Sequence, residues 1–540
     1  MNINKKSNIV IIIAIIVLIM NPFALFAQKN MGNNERRILV SEYRDKMMAG
    51  WIGQMAGVGW GAPTEFQYKG VIIPEDKVPE WKPEMINVFN QDDLYVEMTF
   101  LRTLEEYGFD VSIKQAGIDF ANSGYMLWHA NRVGRENLLK GIAPPNSGHP
   151  HFSTHADDID YQIEADFSGL IAPGLPNTVI AIGEKFGHLM NYGDGVYGGQ
   201  FVGGLYAEAF FEDDPEKLVD VALKYIPEGS QYAETIRDVI KWHSEQPDDW
   251  QATWQLIEDK YNLNPDYRLW TCSEEGDTFN IDAKLNGAYI AMGLLYGNDD
   301  LDRTTVISMQ CGQDSDCNPS NAAGALFTTR GFKDLPDKFI SGLNNETKFS
   351  FTNYNFPELI DVTEKLATEA IIRAGGRVEV NASGEKEFVI PIKSPMPSKL
   401  EQSHNPGPIS NIEFTKEELK QINGHWIFKF SLIFLLVVTF LLFKENRNLK
   451  ATAILIPLGV IFLVAEFFRA KIGPEGLAVF DIVILFESLA VGFAILLLLG
   501  KRLPNMKWYI SFIGAGLVLA IVGYAGITGI NEGRYIAATD

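Results

Sequence analysis

Two acidic runs in this chain carry side chains that can do chemistry together. Gln91-Asp92-Asp93 stands directly before a helical pattern reaching Tyr107, and Gly312-Gln313-Asp314-Ser315-Asp316-Cys317-Asn318-Pro319 stands before another. Carboxylates ahead of a helix are stabilised by its free amide hydrogens and dipole, which accounts for either run alone. In the second, Asn318 is expected to cap a helix that Pro319 begins. Taken together, Asp92, Asp93, Asp314 and Asp316 are four hard oxygen donors whose mutual repulsion requires cations if they cluster. Mg²⁺, Mn²⁺ or Ca²⁺ matches such donors. Two ions about 3.5 to 4 Å apart can orient a substrate oxygen and neutralise charge during a displacement. A base is also needed: Glu65, in Gly61-Ala62-Pro63-Thr64-Glu65, is the candidate, with an ordinary loop acid as the alternative.

The elements that position these residues read as helices. From about residue 35 to 376, apolar residues recur at three and four, as in Leu94, Met98, Leu101 and Leu104 or Leu359, Val362 and Leu366, and strand-like alternation is scarce. The expectation is a compact all-α domain over residues 36–376. After Gly376, Val378 and Val380, then Phe388, Ile390 and Ile392, alternate about Asn381-Ala382-Ser383-Gly384, which predicts a hairpin. With Pro395, Pro397, Pro406 and Pro408 following, residues 377–425 read as a short β annex and stiff connector.

The run Gly53 to Glu65, the Asp92-Asp93 pair and Gly312 to Asp316, with the Asn-Ala-Ala-Gly-Ala-Leu helix behind them, resemble the three signature regions of the ADP-ribosylglycohydrolase family in order and spacing. The resemblance implies an all-α fold with a binuclear Mg²⁺ site that hydrolyses a glycosidic bond at a ribose-like anomeric carbon. It also implies that Asp92, Asp93, Asp314 and Asp316 are metal ligands and that Glu65 matches the acid of the first motif. Glu65, Asp93 and Asp316 are then the expected catalytic residues. Gln91, Leu94 and Cys317 stand where the family usually has threonine. Gln91 keeps a carbonyl oxygen, but a thiol is a poor ligand for Mg²⁺, so one metal position is expected to be weakened.

Candidate substrate-binding acids are Asp160, Glu164, Asp166 and Asp194, each of which could instead be a solvated helix or turn acid. His149, His151 and His155 read as loop histidines rather than zinc ligands, because their spacing matches no helical zinc motif. Cys272, Cys311 and Cys317 are too few for a disulfide framework and form no CxxC pair, leaving one bridge open.

Both ends of the 540-residue chain are apolar. Lys5 and Lys6 precede an apolar run from Ile9 to Met20, which predicts a signal peptide over residues 1–27, with an uncleaved anchor as the alternative. Four stretches within 426–540 are long enough to span a bilayer. Their loop charges place the first and third loops in the cytoplasm. The expectation is therefore an inner-membrane protein whose acidic body lies on the extracytoplasmic side, with the lipid bilayer as a partner. Glu466, Asp481 and Glu487 lie within those stretches and are candidates for transport or for interfacial pairing. The formal net charge is −22: residues 1–425 carry −25, since 426–540 hold ten basic and seven acidic side chains, or +3. Such a body repels a phosphate backbone, so nucleic acid is excluded as a partner in favour of a small-molecule or glycan substrate. The functional expectation is a membrane-tethered, metal-dependent hydrolase of an N- or O-glycosidic bond. The rival is a noncatalytic sugar or nucleotide receptor with a signalling tail.

Overall fold

In the computed structural model, residues 34–272 and 278–422 are described. The expected signal peptide and the four expected membrane spans lie outside them. Among the described residues, no helix is long and apolar enough to cross a membrane.

The domain is mostly helical, and seven helices carry the argument: α1 Val40–Gly61, α2 Asp92–Tyr107, α3 His129–Leu139, α4 Asp194–Ala209, α5 Ala283–Tyr296, α6 Cys317–Arg330 and α7 Phe356–Arg373. Every residue of α4 and α5 is buried, as expected of helices dominated by apolar and small side chains. The periodic residues Leu94, Met98, Leu101 and Leu104 of α2 are all buried in the core.

A three-stranded antiparallel sheet, in the order β1-β3-β2, closes one side, with β1 at Glu35–Leu39, β2 at Arg377–Val380 and β3 at Lys386–Pro391. The hairpin falls where its alternation put it. Strand β1 was not expected: it is five residues long, buries only Ile38, and finds its partner far along the chain, pairing Ile38 with Phe388. Residues 392–422 do not run away from the helices but lie along them. The Tyr197 hydroxyl donates to Lys399 O at 3.0 Å, His188 Nε2 meets Glu401 at 2.9 Å, Ser403 donates to Asp157, and Asn146 and Ser410 bond reciprocally.

Helix α1 packs against α6 more closely than side chains would permit. A methyl group placed on Gly57 would lie 2.4 Å from the backbone of Pro319 and Ser320, and one on Gly61 would lie 2.1 Å from Ser315 O. These contacts are to backbone, which cannot swing aside as a side chain can, so glycine at both positions seats α1 on the Asp314-Ser315-Asp316 turn. Gly57→Ala is therefore expected to destabilise the domain by about 1–3 kcal/mol, the usual cost of overpacking. A lowered urea midpoint at unchanged m-value would report it.

Candidate functional site

The two acidic runs meet at the N-terminal ends of α2 and α6. Gln91 Nε2 donates to Asp316 Oδ2 at 2.6 Å, and the Cys317 thiol lies 3.2 Å from Asp93 Oδ2 and 3.7 Å from Asp316 Oδ1. Donor atoms of Asp314, Asp316 and Cys317 all lie within 4.8 Å of one another. The first motif joins them through Thr64 Oγ1 and Ser315 Oγ, 2.8 Å apart. Gln313 holds the turn. Its φ of +56° is uncommon for a residue with a side chain, and four hydrogen bonds hold it there. Its backbone bonds Phe66 N and Tyr68 O, and its side chain bonds Asn280 N and Thr278 O.

Local capping does not account for the acids. Helix α6 starts at Cys317, so Asn318 is its second residue and not its cap as expected; the Asn318 amide instead donates to Asn286 Oδ1 at 2.8 Å. Pro319 still falls in the first turn, where its missing N–H costs nothing. Asp316 occupies the N-cap position but makes no capping hydrogen bond.

A cavity of about 930 Å³ opens on this cluster, walled by Glu65, Asp92, Asp314 and Cys317 on one side and by Trp128, His129 and Asp160 on the other. Phe66 lies edge-on to Phe279 at 5.1 Å, and Lys69 brings a cation to the rim. Burial, together with the charges of Asp316 and Asp92, pushes the Glu65 carboxyl up to about 9. Asp93, Asp314 and Asp316 are raised well above the carboxylate range, first by burial and then by neighbouring acids: Asp92 beside Asp93, Glu65 beside Asp314, and Asp314 beside Asp316. Asp93 Oδ1 and Asp314 Oδ1 are buried without a hydrogen-bond partner. Orphaned anionic oxygens in a group of hard donors are what a divalent cation fits.

The four expected substrate acids fall in three places. Asp160 lines the cavity, yet its oxygens accept from Ala130 N and Asn131 N, so it also fixes the start of α3. Glu164 is fully buried and accepts from the Asn131 amide. Asp166 stands behind the cluster, held by Asn321 at 2.8 Å, with burial pushing its carboxyl up to about 7. Asp194 does not reach the cavity. It accepts from Tyr232 N at 3.1 Å in a separate buried group with Lys284, because its helix α4 starts on another side of the core. None of the four is the solvated acid of the alternative reading.

Glu97 was missed. It is buried one turn beyond Asp93 and bonds Gln54 at 2.6 Å and Phe167 N at 3.0 Å, placing a second row of acids, Glu97 and Asp166, behind the first. Its spacing of four from Asp93 puts both on one helix face, a signal present in the sequence. None of the three cysteines forms a disulfide, and all three are buried. His149 and His155 are both loop histidines: His149 Nε2 bonds Gly407 O, and His155 Nδ1 pairs with the buried Asp158 at 2.6 Å.

Comparison with known proteins bears on these residues. No curated protein sequence matches the chain. A solved structure described as "ADP-ribosylglycohydrolase-related protein complex" aligns with 13% identity and a TM-score of 0.37, over 61% of this chain and 99% of that one. The family model for ADP-ribosylglycohydrolase matches residues 39–374. Because that match spans more than half of the sequence and contains every acidic residue around the cavity, the chain belongs to the ADP-ribosylglycohydrolase family.

Proposed function

We propose that the domain is a divalent-metal-dependent hydrolase of a glycosidic bond, with Mg²⁺ as the cation and an ADP-ribosyl or related ribose-like group as the substrate. The observation that carries this reading is the clustering of Asp92, Asp93, Asp314 and Asp316, two of them with orphaned oxygens, beside one cavity that Asp92 and Asp314 line. These four would hold the cation, which when bound would supply charge neutralisation and lower the pKa of a coordinated water. Glu65 holds a proton at its carboxyl in the cation-free cluster and, ionised, takes one from the attacking water. Asp93 and Asp316 orient that water. Trp128 on the rim and Phe66 within offer faces for a sugar or base, and Lys69 offers a cation to an anionic aglycone. Asp160 positions α3, while Glu164, Asp166 and Glu97 brace the cluster from behind. Export by residues 1–27 and tethering through 426–540, facing the domain outward from the cytoplasmic membrane, belong to the same proposal and rest on the charge pattern of the sequence.

The test is turnover by the full chain, with and without Mg²⁺, of ADP-ribosylated and simple riboside substrates. Absence of hydrolysis at saturating Mg²⁺ across that set would end the proposal. One observation favours the receptor reading: the Cys317 thiol occupies space between Asp93 and Asp316 where a hard donor would serve a cation better. A receptor would bind its ligand unchanged after chelation. The hydrolase reading predicts that Cys317→Thr, which restores an oxygen, tightens Mg²⁺ binding about tenfold or more by calorimetry, within the range known for changes around metal sites.

A further inference from the structure

Outside the carboxylate cluster lies a second group of ligand-type side chains with different chemistry. Ring nitrogens of His129 and His155 and the Cys272 sulfur lie within 4.8 Å of one another, and all three residues are buried. They come from three separate places: the start of α3, the loop before Asp160, and the segment ahead of α5. We propose that these three side chains bind one transition-metal ion of the zinc class.

Three features point to a ligand. First, His129 Nδ1 is buried with no hydrogen-bond partner, although the ring is fixed in place by stacking on Phe279 at 5.9 Å. His129 also adopts a φ of +44°, a backbone conformation that costs free energy in a residue with a side chain and recurs at functional sites. Second, the buried Asp158 serves two of the three residues. Its Oδ2 bonds His155 Nδ1 at 2.6 Å and its Oδ1 accepts from Cys272 N at 2.7 Å. A carboxylate that orients an imidazole through the nitrogen not used for ligation is the usual support of a metal-bound histidine. Third, two imidazoles and a thiol are borderline-soft donors, which select zinc over the hard cations suited to the aspartates.

Binding would release the Cys272 thiol proton to solvent and leave a thiolate on the ion. Three protein donors leave a fourth tetrahedral position for water or a small anion. His129, Thr278 and Ile281 all line the large cavity, so the ion would clamp the start of α3 to the segment ahead of α5 along that wall. The proposal does not depend on hydrolysis, and its readout is spectroscopic.

The test is titration of the full-length, chelator-stripped chain with Co²⁺ in excess Mg²⁺, followed by competition with Zn²⁺. The expected result is one Co²⁺ per chain with a sulfur-to-cobalt charge-transfer band that Zn²⁺ abolishes. The band should be lost in Cys272→Ser and His129→Gln. It should persist in Cys317→Ser, which removes the thiol beside the aspartates. Circular dichroism identifies any variant that fails to fold. No band in the wild type, or a band that survives Cys272→Ser, overturns the assignment. The wild-type titration decides even where a variant does not fold.

Discussion

Asp316→Asn is expected to lower turnover by about three powers of ten while raising the melting temperature of the metal-free domain. The two effects have opposite signs for one reason. Asp316 is buried among acids: Asp314 and Asp92 oppose its charge, and its own charge raises Asp93 and Glu65. Without a cation, its charge is opposed by burial and by its neighbours, so a neutral isostere relieves strain. Gln91 can still bond the substituted side chain, which keeps the turn in place. With a cation, the carboxylate is a ligand, and its loss removes several kcal/mol of charge stabilisation in the transition state, about a decade in rate for each 1.36 kcal/mol. Asp314→Asn should behave likewise, since its Oδ1 has no other partner. Steady-state kinetics and calorimetric melting of the same preparations check both signs. A variant that is inactive and also less stable without metal would point to a purely structural role for the acid.

The second large effect is a pH dependence that Mg²⁺ removes. The Glu65 carboxyl titrates near 9 in the folded, cation-free protein, against about 4.5 in the unfolded chain. The folded state therefore binds more protons than the unfolded state between those values, and stability falls as pH rises through that window. Asp93, Asp314 and Asp316 are shifted in the same direction and steepen the fall. Metal-stripped protein should melt at its highest temperature near pH 5 and lose stability steadily towards pH 9. A bound cation favours the ionised carboxylates, so added Mg²⁺ should raise the melting temperature far more at pH 8 than at pH 5. His188 is a built-in comparison. Burial opposes its charge, but the Glu401 and Glu184 carboxylates prevail and hold it up to about 9. Its contribution is complete below about 6.5 and is lost as pH passes 9, with no dependence on Mg²⁺. Glu401→Gln should remove that metal-independent part. An Mg²⁺ shift of equal size at both pH values would show that the buried acids do not hold the cation.

The residues around the cavity were legible to different degrees. Asp92, Asp93, Asp314 and Asp316 could be named because paired acids before helices are unusual in type and spacing, and Glu65 followed from the glycine-rich run ahead of it. Glu97 carried a legible signal, its spacing of four from Asp93, but a single acid on a helix ordinarily faces water. Gln313 carried none, because its role lies in a left-handed backbone and in four partners on other segments. Asp194 looked equivalent to Asp160 in sequence, and only packing separated one from the other. Prolines at 395, 397, 406 and 408 suggested a stiff connector, whereas that stretch is bonded to Asn146, His188 and Tyr197.

Local pattern alone determined the predominantly helical domain, the hairpin at 377–391 and the identity of the four aspartates, because periodicity, turn residues and donor chemistry act over a few residues. Tertiary structure alone decided that the aspartates meet, that Cys317 lies between them, and that His129, His155 and Cys272 form a second group. Those outcomes depend on contacts between residues on segments well separated along the chain. The seating of Gly57 and Gly61 on the Pro319 and Ser315 backbones is such a contact, and no local preference encodes it.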